Sequence, residues 1–240
     1  MNPAKTLSFA DFFACDKVVA WTSDRSMDFT LDESTSGLQA AQKEYCSKRS
    51  GFRIWDVAWA KQVHGAEILV VDKDFVYDGP LQSADALITD QMNVPIAVRT
   101  ADCLPIFIFD PTRWVIAIVH AGWRGTHQEI AMRILHTMRK NFGTWFSDLK
   151  IVFGPAIGPC CYKVEEEFYK YFPHEVVAKE QDLYLNLAQV NRRQLTALGV
   201  MPSNIFDCGV CTSCDQNFFS FRREGSKAGR MISMMLLKGE

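Results

Sequence analysis

Residues 57 to 153 are dominated by short runs rich in β-branched and aromatic side chains, and this pattern limits the fold more than any other feature of the chain. The runs at 57–63, 67–72, 86–89, 94–100, 104–110, 114–120 and 150–153 are each of strand length and each ends in turn residues, so the spacing predicts strands at all of these places. Helices interrupt them. After His120 the turn Ala121-Gly122-Trp123-Arg124-Gly125 leads to Thr126, which with Glu129 reads as a capping box ahead of Ile130, Ile134, Leu135 and Met138 at helical spacing. Further helices are expected over 38–48, 164–172 and 187–198, the last stopped by Gly199. The fold class these elements imply is α/β or α+β, a mixed-sheet sandwich covered by helices. Without a repeat or a linker-like tract, residues 1–240 are expected to form one domain.

Charge and targeting signals narrow the function classes. The formal charge is −2, from 26 basic and 28 acidic side chains, and supplies no net field for a phosphate backbone or an anionic membrane face, so no nucleic-acid partner is expected. The first residues carry no long apolar signal core, and no later run reaches the roughly 20 apolar residues of a membrane helix. A cytoplasmic protein is expected. Eight dispersed cysteines in such a chain read as thiols or metal ligands rather than disulfides.

Five histidines are present, and two of them sit where a strand run meets a turn. His64 lies in Lys61-Gln62-Val63-His64-Gly65, and His120 closes the run before the glycine-rich turn; Cys103, in Thr100-Ala101-Asp102-Cys103-Leu104-Pro105, lies between two apolar runs. Two imidazoles and a thiolate suit zinc, and three protein ligands leave a fourth position for water or a substrate oxygen. The three are 39 and 17 positions apart, which matches no short zinc motif, so spacing alone also allows three unrelated packed residues. His127, His136 and His174 read as structural or solvated.

Beside this set, Arg124 at a helix N-terminus offers a site for phosphate or carboxylate, or is a surface ion-pair residue. Asp102 either orients a ligand histidine or caps the adjoining turn. Gln62 shares a strand face with His64 and is the expected substrate contact, with Lys61 pointing away. The run Cys208-Gly209-Val210-Cys211-Thr212-Ser213-Cys214 has the spacing of part of an iron–sulfur ligand set, with Cys160 or Cys161 as a distant fourth ligand, so a cluster or a second zinc is one reading; buried free thiols are the default reading.

Six motifs in order carry a resemblance. The segments around His64, Ala84-Asp85-Ala86, Cys103 and His120, together with Gly154-Pro155-Ala156-Ile157-Gly158-Pro159-Cys160-Cys161-Tyr162 and Phe218-Phe219-Ser220-Phe221-Arg222-Arg223, resemble the YfiH-like family over about residues 55 to 238. This is the laccase-domain or polyphenol oxidoreductase family, whose members are described mainly as purine nucleoside phosphorylases. The resemblance implies a YfiH-type mixed fold similar to that of cytotoxic-necrotizing-factor-like toxins, and a zinc site of His64, Cys103 and His120. It also implies phosphorolysis of adenosine, inosine and methylthioadenosine, with adenosine deamination as a companion activity and nucleoside and phosphate as partners. Relatives carry an Arg-x-Gly-Gly turn near the N-terminus, whereas Trp21-Thr22-Ser23-Asp24-Arg25-Ser26-Met27 has no glycine pair.

Two other chemistries stay open at this point. Cys103 as nucleophile with His120 as base would make a cysteine hydrolase acting on an amide or a peptidoglycan precursor. A copper-dependent polyphenol oxidase is the other; five histidines are too few for several imidazole-rich copper centres, though a single copper fits the same three-ligand site. The deaminase signature H-x-E is absent, since Gly65 and Ala66 follow His64.

Overall fold

The computed structural model describes residues 6–30, 37–75 and 82–239; residues 31–36, part of the polar stretch between Asp24 and Arg53, fall outside these. A six-stranded sheet runs in the order Ile205–Asp207, Lys150–Phe153, Leu104–Asp110, Val115–Ala121, Ala86–Thr89, Ile68–Val70. Its inner pairings are antiparallel and its two outermost are parallel, so it is mixed. A second, antiparallel sheet has the order Leu7–Ser8, Val18–Thr22, Met231–Leu237, Ile96–Thr100.

The period-two alternation of side chains sorts the core into layers. From the Leu104–Asp110 strand, Ile106 and Ile108 pack with Ile134, Leu135 and Met138 of the Ile130–Phe142 helix and with Leu195 of the Leu187–Ala197 helix. Phe107 and Phe109 point the other way, onto Ile96, Val98, Met235 and Leu237 of the smaller sheet. The outer face of that sheet, through Trp21, Ile232 and Met234, packs on Cys46 of the Ala40–Ser50 helix. The layers are therefore helix, sheet, sheet, helix. Because both faces of the central strands are covered, every residue of Leu104–Asp110 and Val115–Ala121 is buried, and neither strand has a polar face. Each large apolar side chain so buried contributes roughly 1.5–3 kcal/mol.

Several local expectations are corrected. Residues 57–63 form no strand and make only isolated bridges at Ala58 and Lys61, so strand alternation does not govern Gln62. The 164–172 segment is not an α-helix. Lys163–Val164 pairs with Tyr184 and Leu183 in a small third sheet, which leaves only a 3-10 turn over Glu166–Lys170. Val164, Phe168 and Phe172 still bury together, as their spacing demands. Thr126 and Glu129 make no capping box: the chain forms a short helix, Trp123–His127, breaks at Glu129 in the left-handed region (φ 62), and restarts at Ile130. The Thr126 hydroxyl instead accepts from Asn191 Nδ2, and its carbonyl from Gln194. Among the described residues no helix is long and apolar enough to cross a membrane.

Candidate functional site

The chain passes from the smaller sheet to the larger through Ala101–Asp102–Cys103, and His120 lies on the neighbouring strand opposite Pro105. The loop carrying His64 closes over the same end. All three ligand-type atoms of His64, Cys103 and His120 lie within 4.8 Å of one another, with the Cys103 sulfur 3.9 Å from His64 Nδ1 and the two imidazole centroids 4.8 Å apart. Residues far apart in sequence thus meet in one place.

Asp85 organises this cluster from beneath. Its carboxylate is fully buried and accepts from the backbone N–H groups of Val63 (3.2 Å), His64 (3.0 Å) and Gly65 (2.7 Å) and from His120 Nδ1–H (2.8 Å). Three converging amides hold the turn in which His64 adopts φ 58, a conformation costly for a residue with a Cβ. Holding Nδ1 of His120 on Asp85 leaves Nε2 as the nitrogen turned toward Cys103, the one that could hold a metal. Burial resists ionisation of Asp85, but the His120 bond and charge and the backbone donors outweigh it and hold its carboxyl below the usual range.

The thiol and the imidazole perturb each other. Burial would push the Cys103 thiol up, but the charge of His120 and hydrogen bonds from both histidines draw it down to about 6. Burial likewise opposes charging of His120, yet the Cys103 charge and the Asp85 carboxylate lift it to about 9. Without a metal the pair rests as thiolate and imidazolium. In chelator-stripped protein, alkylation of Cys103 followed on its own peptide is therefore expected to persist as pH falls to about 6 and to be lost below it. In His120→Ala the midpoint should move up toward the ordinary value of 9.0; an unmoved midpoint would refute the pairing.

Gly122 supplies room for a further atom between the donors. A Cβ built there would lie 3.1 Å from both the Cys103 sulfur and His64 Nδ1. The donor set of two nitrogens and one sulfur, and the space between them, fit a zinc ion.

A cavity of about 570 Å³ opens beside the cluster. Trp123, Tyr162, Leu187 and Phe221 give it apolar walls, while Arg99, Arg124 and Arg230 bring positive charge. Such a volume is in the range of small-molecule binding sites. The Arg99 Nε is buried and without a partner, and burial together with Arg230 beside it pulls the guanidinium only to about 10, so Arg99 stays charged at neutral pH. Burial and the nearby Cys103 charge push the Tyr162 hydroxyl up, which keeps it a proton-bearing donor.

The remaining sequence readings change in detail. Arg124 lines the cavity, with its guanidinium 4.6 Å from the Trp123 ring, but its helix has only five residues and too little aligned dipole to make the terminus an anion site. Gln62 also lines the cavity. Its amide exchanges two 2.8 Å bonds with the Arg99 backbone, so it positions Arg99 and keeps one N–H for a ligand. Asp102 orients no histidine: it accepts from Thr212 Oγ1 and the Arg222 N–H, both at 2.6 Å. Asp85 holds His120 instead. The N-terminal turn manages without a glycine pair, because Asp24 accepts from the Ser26 N–H, and the chain goes on to place Thr30 in the cavity wall. Sequence reasoning passed over Asp85, Arg99 and Arg230; a single charged residue in the otherwise apolar run before Thr100 was the available signal for Arg99.

Residues 27–238 match a family model described as multi-copper polyphenol oxidoreductase laccase. A purine nucleoside phosphorylase of Clostridium acetobutylicum is 35% identical over 193 residues, covering 78% of this chain and 79% of that protein. An adenosine deaminase, RL5, from an unknown prokaryotic organism is 31% identical over 230 residues, covering 89% and 87%. Among solved structures, the hypothetical protein YfiH of Bacillus licheniformis superposes with a TM-score of 0.85 at 28% identity, covering 99% of this chain and 98% of that one. YlmD from Geobacillus stearothermophilus gives 0.80 at 28% identity, covering 93% of each.

Proposed function

The chain belongs to the family described as multi-copper polyphenol oxidoreductase laccase, and from that premise we propose that it is a zinc-dependent purine nucleoside phosphorylase. The observation that carries this reading is the open cluster of His64, Cys103 and His120 on the floor of a cavity with aromatic walls and three arginines. Zinc on these ligands would supply Lewis-acid polarisation of an oxygen placed at its open position. The chain's own residues do the rest. Trp123 and Phe221 offer faces for a purine, and Arg99, Arg124 and Arg230 offer charge to hold phosphate against the anomeric carbon. Tyr162 keeps its proton and can donate to the departing base. Adenosine, inosine and methylthioadenosine are the proposed substrates. The relative named as an adenosine deaminase supports a hydrolytic side activity on adenosine in the same cavity. All eight cysteines are unpaired, which supports a reducing, cytoplasmic setting.

A cysteine hydrolase is the second reading, favoured by the thiolate at Cys103 and the Asp85–His120 pair beside it, an arrangement of nucleophile, base and orienting carboxylate. One assay separates the two. Purified protein is offered a nucleoside panel with and without phosphate, alongside Cys103→Ala and a chelator-treated sample. Phosphate-dependent release of free base, lost in both, is expected. Turnover that survives chelation but not thiol alkylation would overturn the phosphorylase reading in favour of the hydrolase. Metal analysis of protein prepared without added metal is expected to show zinc, and copper in its place would correct the ion.

A further inference from the structure

A second group of thiols lies outside the cavity. Cys160 and Cys161 come from the loop after the Lys150–Phe153 strand, and Cys211 and Cys214 from the loop after Ile205–Asp207. Their four sulfurs all lie within 4.8 Å of one another, with Cys214 at 3.3 Å from Cys161 and 3.6 Å from Cys160. Cys208, which the run of cysteines had suggested as a partner, packs instead beside the core between the two sheets. The default expectation of buried free thiols fails as well, since Cys160 and Cys214 are exposed and Cys161 and Cys211 half-buried.

We propose that Cys160, Cys161, Cys211 and Cys214 bind a second zinc ion, in a closed four-sulfur site that joins these two loops. Tetrahedral zinc with bonds of ~2.3 Å to sulfur sets its ligands ~3.8 Å apart, and four thiols already converge at that scale. A disulfide would use two of them and leave the other two crowded against it. The loops are also built for negative charge. The Gly158 N–H donates to the Cys211 sulfur at 3.3 Å, and three cations bind the carbonyls around the thiols: Arg222 on Cys161, Arg223 on Thr212 and Ser213, and Lys179 on Pro159. These partially offset a site in which each ligating thiol has given its proton to water. Four protein ligands leave no open position, so the ion is structural.

Its place in the fold gives it a task. Thr212, between Cys211 and Cys214, donates to Asp102 next to Cys103, and the Ile157 N–H donates to the Asp102 carbonyl. Tyr162 and Ile157, on the other cysteine loop, line the cavity. Zinc at the four thiols would therefore fix one wall of the cavity without touching a substrate.

The test is metal stoichiometry and ligand identity, and it does not depend on which reaction the cavity performs. Protein from zinc-supplemented cells, purified without chelator, is expected to hold two zinc ions per chain. Cys103→Ala is expected to keep one, with an all-sulfur shell at ~2.3 Å in X-ray absorption. Cys211→Ser/Cys214→Ser in the native background should also fall from two to one, with a melting temperature lower by about 10 °C. If the cavity holds no zinc, native protein and Cys103→Ala would each carry one all-sulfur zinc, which leaves this proposal standing and removes the other. A retained ion with nitrogen or oxygen ligands, four freely titrating thiols with no metal, a disulfide to Cys214 in protein prepared without oxygen, or visible absorbance from iron would each overturn it.

Discussion

Asp85→Asn is expected to lower metal retention by about 10- to 100-fold and kcat/KM on the best nucleoside by at least about 100-fold. The carboxylate is fully buried and ionised, and four N–H groups point at its two oxygens. Asparagine keeps one oxygen. Its amide nitrogen must face donors where an acceptor stood, and a buried donor left unpaired costs about 1–3 kcal/mol. The loss falls on function as well as stability, because the same groups hold His64 at its positive φ and fix which nitrogen of His120 faces the cavity. Zinc content after dialysis against a competing chelator, together with the melting temperature, would show both. Metal content and turnover equal to those of the native protein would mean that Asp85 does no more than fill space. A fall in melting temperature with full metal content would assign it to the fold alone.

How much of this was readable beforehand differs between fold and site. The central strands announced themselves because both their faces are buried, so Leu104–Asp110 and Val115–Ala121 are continuous apolar runs. Val18–Thr22 and Met231–Leu237 went unread although they form the middle of the smaller sheet; their pairing joins Ser233 to Thr22 across nearly the whole chain, and no local pattern reports it. The 164–172 segment misled because apolar side chains four apart are also buried together by a strand end at Val164, a 3-10 turn holding Phe168 and the bend after it at Phe172. At the site, strand ends beside turns pointed to His64, Cys103 and His120, but only the ordered motifs of the resemblance joined them. Asp85 stood inside one of those motifs with no visible role. Its task exists only once the backbone of residues 63–65 folds onto it.

The cysteine loops show the opposite case. The C-x₂-C spacing at Cys211 and Cys214 was visible, and so was the Cys160–Cys161 pair, yet spacing favoured the wrong third member. Cys208 belongs to the chain before the turn and packs beside the core, and the pairing of the two loops through the Ala156–Cys211 bridge and the Gly158 N–H bond to the Cys211 sulfur brings the other four together. Linear spacing identifies ligands reliably when one turn supplies them; here two loops each supply two.

Gly125→Ala is expected to destabilise the protein by about 1–3 kcal/mol, a fall of several degrees in melting temperature, and to weaken metal binding as well. A Cβ at this position would stand 2.7 Å from the Gly65 carbonyl oxygen, a backbone atom that cannot rotate away. Relief requires the His64 turn or the Trp123–His127 helix to move, and both line the cluster. The turn is tied to Asp85 by three hydrogen bonds, so displacing it strains the arrangement that places the His64 imidazole on the cavity floor, its Nδ1 lying 3.9 Å from the Cys103 sulfur. The mirror substitution is a sharp control. Gly65→Ala would put its Cβ no closer than 3.6 Å to Asp85 Oδ2 or Val63, ordinary contact, and its N–H would still donate to Asp85. One added methyl on either side of the same contact should therefore give opposite results, a loss of stability and metal at 125 and little change at 65. Equal tolerance of both would show that the helix and the turn are not held against each other, and that the close approach of Gly125 does not set the shape of the site.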